Sequence, residues 1–153
     1  MSEAMAWLMS FSSDVLAAVG EREMVHLVET PRLEEIPQTP LHCRQVLLWE
    51  EELLPVFDLT AWLTAQPSPC EHVSVGIVGW QEQPGAIPQY GALMFSGVPK
   101  KIQVSDDHEC QLPEPLAAWK AIAISCVRYD DRSIPILNLS RIFSGAILVD
   151  TTI

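Results

Sequence analysis

The chain has 153 residues, a length that suits one domain with a sizeable core and is short for two full-sized ones. A hydrophobic fraction of 48% against 19% charged residues is that of a packed globular protein and excludes a disordered tail. The formal net charge of −11, from 9 Lys and Arg against 20 Asp and Glu, repels phosphate backbones and anionic lipid and argues against nucleic acid as a ligand.

Met1 to Gly20 is fairly apolar, but it lacks a basic leader and is interrupted by Ser10, Ser12, Ser13 and Asp14, so it does not match a secretory signal. No stretch approaches the ~18 continuous apolar residues of a membrane span. A cytoplasmic protein without direct membrane insertion is expected. Ala6–Phe11 and Val15–Val19 are short apolar runs separated by Ser-Ser-Asp, which predicts a hairpin closed by turn-prone residues. After Gly20, the helical spacing of Met24, Leu27 and Val28 and the acids Glu21 and Glu23 predict one short helix over Glu21–Val28. Pro31, Pro37 and Pro40 then forbid a continuing helix and favour a strand or loop.

An internal near-repeat follows, found by laying Gln45–Leu63 (QVLLWEEELLPVFDLTAWL) over Ser125–Phe143 (SCVRYDDRSIPILNLSRIF) at a spacing of 80 residues without a gap. Trp49 falls on Tyr129, Glu50-Glu51 on Asp130-Asp131, Pro55 on Pro135, and Asp58-Leu59-Thr60 on Asn138-Leu139-Ser140. Each copy reads as strand, acidic turn, strand with an internal proline, then Asp or Asn capping a short apolar helix. A proline cannot donate to a sheet ladder, so each sits at a strand end, edge or bulge. Two curved half-barrels accommodate that better than one flat sheet.

Between the copies, Val73–Trp80 and Ala92–Val104 are further strand candidates, with Gly91 and Gly97 as close-approach or bulge points. Gln81–Gln89, holding Pro84, Gly85 and Pro88, is a surface loop. Pro113–Lys120 is expected to be a short helix with Pro115 in its first turn. The result is a single domain over residues 1–153, mainly β, with hairpin-helix units at 45–63 and 125–143.

Chemistry-bearing residues do not converge. Cys43, Cys70, Cys110 and Cys126 are widely spaced with no C-x-x-C pair, which gives little support to a disulfide framework or zinc ribbon and reads as buried or incidental thiols. His42 adjoins Cys43, and Asp106-Asp107-His108 precedes Cys110, so a Cys/His nucleophile or a metal site can be imagined. Neighbours on a strand point to opposite faces, which weakens the His42–Cys43 pair. No metal, cofactor or catalytic residue is assigned, and no enzyme activity is expected.

Thr39-Pro40 followed by Gln45-Val46-Leu47-Leu48-Trp49-Glu50-Glu51 and Leu53-Leu54-Pro55-Val56-Phe57-Asp58-Leu59 resembles a CheW-family pattern. That pattern is Thr-Pro, then Gly-Val-x-Asn-Leu-Arg-Gly, then Val-Val-Pro-Val-x-Asp-Leu. The resemblance runs upstream through Trp7–Val28 and downstream through Gly91-Ala92-Leu93-Met94 to Ile134–Leu139. It implies a pair of SH3-like five-stranded β-barrels with short helices. It further implies a non-catalytic adaptor whose partners are a CheA-type histidine kinase regulatory domain and the cytoplasmic tip of chemoreceptors, in chemotaxis or surface motility.

The chain departs from the family where the Asn-Leu-Arg-Gly turn becomes Leu48-Trp49-Glu50-Glu51, replacing a cation and a glycine by two carboxylates. Phe95 stands where the family usually has an acid. Candidate partner-binding residues are Gln45, Leu47, Trp49, Glu50, Glu51 and Glu52 at the first hairpin, and Met24, His26 and Leu27 where the resemblance implies a receptor-contacting helix. A bland reading stands beside each: an acidic hairpin tip is most often a solvated turn, and Met24 and Leu27 suit a core. Trp62 and Trp119 read as core or groove-lining residues. An accessory module that binds only one of the two partners, and self-association through strand edges, stay open.

Overall fold

The computed structural model describes residues 3–12, 14–66 and 73–144. Cys70 lies outside them. Among these residues the chain forms ten strands: β1 (Glu3–Ser12), β2 (Val15–Gly20), β3 (Met24–Val28), β4 (Leu33–Glu35), β5 (Gln45–Trp49), β6 (Glu52–Phe57), β7 (Val73–Trp80), β8 (Gln89–Ser105), β9 (Ala123–Tyr129) and β10 (Arg132–Leu137). Among the described residues three short helices complete them: α1 (Leu59–Thr64), α2 (Leu116–Ile122) and α3 (Leu139–Phe143). Pro115 stands at the N-cap of α2, one position before the first turn where it was expected. The Gln81–Pro88 stretch is an exposed loop, as its Pro and Gly content requires.

β8, 17 residues long, is the spine. Its first half pairs antiparallel with β7 from Trp80↔Gln89 to Val73↔Ser96, and its second half pairs antiparallel with β1 from Leu8↔Lys100 to Glu3↔Ser105. The register shifts between these halves, and Gly97 there has φ +74°, a left-handed conformation that glycine adopts without strain. One set of strands is thus β3, β7, the first half of β8, β6, β5 and β4; the other is the second half of β8, β1, β2, β10 and β9. Three buried clusters match this division. Leu47, Leu54, Val56, Val75, Ile77, Ala92 and Met94 fill the first set, and Ala6, Ala18, Ile102, Val127 and Ile134 fill the second. A third, larger cluster between them draws Phe57, Leu59, Leu93, Trp119, Ile122, Leu137, Leu139 and Phe143 from strands and helices together.

The repeat is structural as well as sequential. Val56 of β6 pairs parallel with Ala92, and its counterpart Ile136 of β10 pairs parallel with Ala18. Asp58 Oδ1 accepts from the Ala61 N–H at 3.1 Å, and Asn138 Oδ1 from the Arg141 N–H at 3.2 Å, so both helices begin on the expected side-chain cap. The Asp58 N–H donates to the His42 carbonyl and the Asn138 N–H to the Ile122 carbonyl, each at 2.8 Å. These equivalent bonds carry the repeat upstream to His42 and Ile122, which the sequences alone do not reveal.

Two expectations change. Residues 24–28 form strand β3, paired with β7, where a helix was expected. The register shifts between Met24↔Val78 and His26↔Ile77, so two residues of β3 oppose one of β7. That bulge interrupts the period-two pattern and leaves Met24, Leu27 and Val28 half-buried, which imitates helical spacing. Glu23, expected in the first helical turn, instead folds back so that its Oε1 accepts from the Gly20 N–H at 2.8 Å. The strand path is also open: it ends on β4 and on β9, and among the described residues no strand pairing closes either set into a barrel. A single antiparallel bridge, Glu109↔Val127, lies beyond β9.

Candidate docking grooves

The β5–β6 and β9–β10 hairpins turn through two residues each, Glu50-Glu51 and Asp130-Asp131, all four at positive φ (48°, 68°, 51° and 62°). Positive φ at both central positions belongs to the type I′ turn, whose twist suits a tight hairpin. Residues flanking such a turn form a hydrogen-bonded pair, so Glu52 and Leu54 direct their backbone groups to β5 while Leu53 and Pro55 direct theirs to the opposite edge. β8 joins that edge only from Val56 onward. The N–H that Pro55 lacks is therefore not needed by the β5–β6 ladder, and the same register excuses Pro135 opposite Cys126.

Beside this edge runs an open groove of about 340 Å³, lined by Glu52, Leu53, Pro55, Trp80, Tyr90 and Phe143 among others. The hairpin's outer face is apolar: Leu48 and Leu53 are directly opposed and 57% and 66% exposed. Glu50, Glu51 and Glu52 rim it at the tip, all exposed. Trp80 is buried, and its indole Nε1 has no hydrogen-bond partner among the described residues. A second groove, about 490 Å³, is lined by Asp14, Val15, Leu16, Leu63, Arg132 and Ser133 with Glu114 and Trp119.

These two grooves are counterparts. Arg132 and Ser133 correspond to Glu52 and Leu53 in the repeat, and Leu63 corresponds to Phe143 at the ends of α1 and α3. Asp14–Leu16 at the start of β2 corresponds to Pro88–Tyr90 at the start of β8, because each strand runs parallel to its hairpin's second strand. Their chemistry differs. The first has one charged lining residue, Glu52, with Glu50 and Glu51 at the hairpin tip beyond it; the second has four, Asp14, Glu114, Asp131 and Arg132, set among Val15, Leu16, Leu63 and Trp119.

The sequence candidates divide between surface and interior. His26 and Trp49 come together, their rings stacked at 6.4 Å, and Tyr90 meets Trp49 edge-on at 5.7 Å. His26 is exposed and Trp49 half-buried. Met24 and Leu27 are half-buried, and Met24 lies over Gly76, where an added Cβ would approach its Sδ to 2.6 Å. Gln45 and Leu47 are buried at 7% and 2% exposure, since residues 45, 47 and 49 share the inward face of β5. They present little accessible surface, whereas Leu48 and Leu53, which were not among the candidates, lie exposed on the outward face. Trp62 is half-buried with its Nε1 donating to the Ala118 carbonyl at 3.0 Å, and Trp119 is buried.

His42 and Cys43 lie in a 3-10 turn, Leu41–Cys43, and the buried His42 ring meets Trp62 and Phe57 edge-on at 4.7 and 5.9 Å. Burial pushes the Cys43 thiol up, away from the nucleophilic thiolate. Asp106–His108 is a second 3-10 turn, exposed, with Ser105 Oγ accepting from the Asp107 N–H at 3.2 Å. Among the described residues, no three His, Cys, Asp or Glu side chains gather as a metal site would require. Burial raises the Glu23 carboxyl above the ordinary carboxylate range, partly offset by its bond from Gly20. Among the described residues, no helix is long and apolar enough to cross a membrane.

The fold has a counterpart among solved structures. The scaffolding protein TtCheW from Thermoanaerobacter tengcongensis is similar with a TM-score of 0.71 over 91% of this chain and 86% of that one, at 18% identity. That identity supports a shared fold alone. No curated protein matches the sequence. The family model described as CheW-like domain matches residues 15–146, which spans both hairpin-helix units and the residues lining both grooves except Asp14. This chain therefore belongs to the CheW-like domain family.

Proposed function

We propose that this protein is a non-catalytic adaptor that couples chemoreceptor cytoplasmic tips to the regulatory domain of a CheA-type histidine kinase in a cytoplasmic chemosensory or motility system. The observation that carries this reading is the duplicated groove. A chain with two equivalent recesses of different chemistry can hold two different partners at once, which is what a scaffold does. The division of the strands into two sets and the repeat fit two related β subdomains, with the first hairpin's free edge and apolar outer face suited to strand-edge and apolar docking. The acidic tip at Glu50-Glu51-Glu52 favours a basic rim on whatever occupies the first groove.

The test is a three-component binding experiment using the purified chain, the kinase regulatory domain and a receptor cytoplasmic fragment from the same organism. A ternary complex is expected, with Leu53→Arg weakening one contact and Ser133→Glu the other. Capture of only one partner would instead mark an accessory module. Binding of neither would overturn the adaptor reading.

A further inference from the structure

Cys110 and Cys126 are 16 positions apart in sequence, yet the antiparallel bridge Glu109↔Val127 sets them directly opposite. The Cys110 N–H donates to the Cys126 carbonyl at 2.9 Å, and the two Sγ atoms are 3.3 Å apart with both thiols free. Cys126 takes the place of Val46 in the repeat, so nothing in the hairpin-helix architecture requires sulfur there. Opposite Val46 stands Glu34 of β4, and opposite Cys126 stands Cys110, so only the second unit carries a thiol on both strands.

We propose that Cys110 and Cys126 are a reversible oxidation site, a dithiol that a hydroperoxide converts to an intramolecular disulfide. Cys110, half-buried, meets the oxidant first, while Cys126 is buried. With hydrogen peroxide, the Cys110 sulfur attacks one oxygen, the O–O bond breaks, the leaving hydroxide takes up the Cys110 proton, and a sulfenic acid and water are formed. The Cys126 sulfur then attacks the Cys110 sulfur. The S–O bond breaks, the S–S bond forms, and a second water leaves with the Cys126 proton, so two thiols are oxidised and one peroxide is reduced. Burial and the neighbouring Cys110 push the Cys126 thiol up to about 12, which leaves Cys110 as the sulfur that meets the peroxide.

The consequence is local. In the dithiol state one backbone bridge ties residues 109–110 to the outer edge of β9; in the disulfide state that tie is covalent. Oxidation would therefore brace the second unit, which carries the second groove, and leave the first unit unchanged.

The experiment treats the full chain with hydrogen peroxide and maps the products by mass spectrometry. Trypsin separates the two cysteines, since Lys101, Lys120 and Arg128 place Cys110 in peptide 102–120 and Cys126 in peptide 121–128. The expected product is these two peptides linked, about 2 Da lighter than their sum and released by dithiothreitol, with the oxidised chain melting several degrees higher than the reduced one. Cys126→Ser should abolish the link and leave Cys110 as sulfenic acid, trapped by dimedone. Over-oxidation of Cys110 without a link, or a link from Cys110 to Cys43 or Cys70, would overturn the proposal. The wild-type peptide map decides it even if Cys126→Ser does not fold.

Discussion

Replacing Glu51 by glycine should stabilise the protein. Glu51 sits at φ 68° in the second central position of the first hairpin turn, and its side chain is exposed. A left-handed conformation costs a residue with a Cβ roughly 1–2 kcal/mol, while the extra freedom of glycine in the unfolded chain takes back about 0.4–1 kcal/mol. The net gain is about 0.5–1 kcal/mol, which for a domain of this size raises Tm by about 1–4 °C. Calorimetry on wild type, Glu51→Gly and Glu51→Ala checks it, because alanine removes the charge and keeps the strain. An alanine variant as stable as the glycine one would refute the conformational argument and assign the effect to the carboxylate.

Gly91 leaves no room for a side chain, since a Cβ there would meet the Phe143 ring at 2.5 Å; Gly91→Ala should cost about 1–3 kcal/mol by overpacking, visible as a lower urea midpoint. Glu23 binds its proton more tightly folded than unfolded, so its contribution is most favourable below the ordinary carboxylate pKa and is lost as pH rises through the raised value. Glu23→Gln should therefore melt higher than wild type at pH 7, with the difference disappearing by about pH 4; a constant difference across that range would remove the titration from the explanation. Pro135 is buried and Pro55 only half-buried, so a carboxylate at 135 should damage folding more than one at 55. Circular dichroism melts of Pro135→Asp and Pro55→Asp would expose the error if the order were reversed.

The hairpins, their acidic turns and the caps Asp58 and Asn138 were legible because each rests on local chemistry: alternation, a turn-prone pair and a side chain that reaches a backbone N–H three residues on. Strand β3 was not, because its bulge against β7 produced helical spacing in Met24, Leu27 and Val28, and only the partner strand reveals the bulge. The repeat offered one route to the grooves, since equal hairpins imply equal recesses, but their far walls at Tyr90, Phe143, Leu16 and Leu63 come from elements that only the fold brings near. Gln45 and Leu47 were drawn from a motif that mixes packing with contact. Strict alternation along β5 could have separated them from Leu48. Nothing in the spacing of Cys110 and Cys126 indicated that they face each other.

The most direct test of the adaptor reading is the affinity of the kinase regulatory domain for this chain, measured by calorimetry alone and again with the receptor fragment present, for wild type, Glu50→Arg and Leu53→Arg. Leu53 and Glu50 are exposed, so both variants should keep wild-type stability within about 0.5 kcal/mol. The expected result is simultaneous binding of both proteins by wild type, with loss at one partner only in each variant. Mutually exclusive binding, or affinities untouched by either substitution, would contradict two independent grooves acting as a bridge.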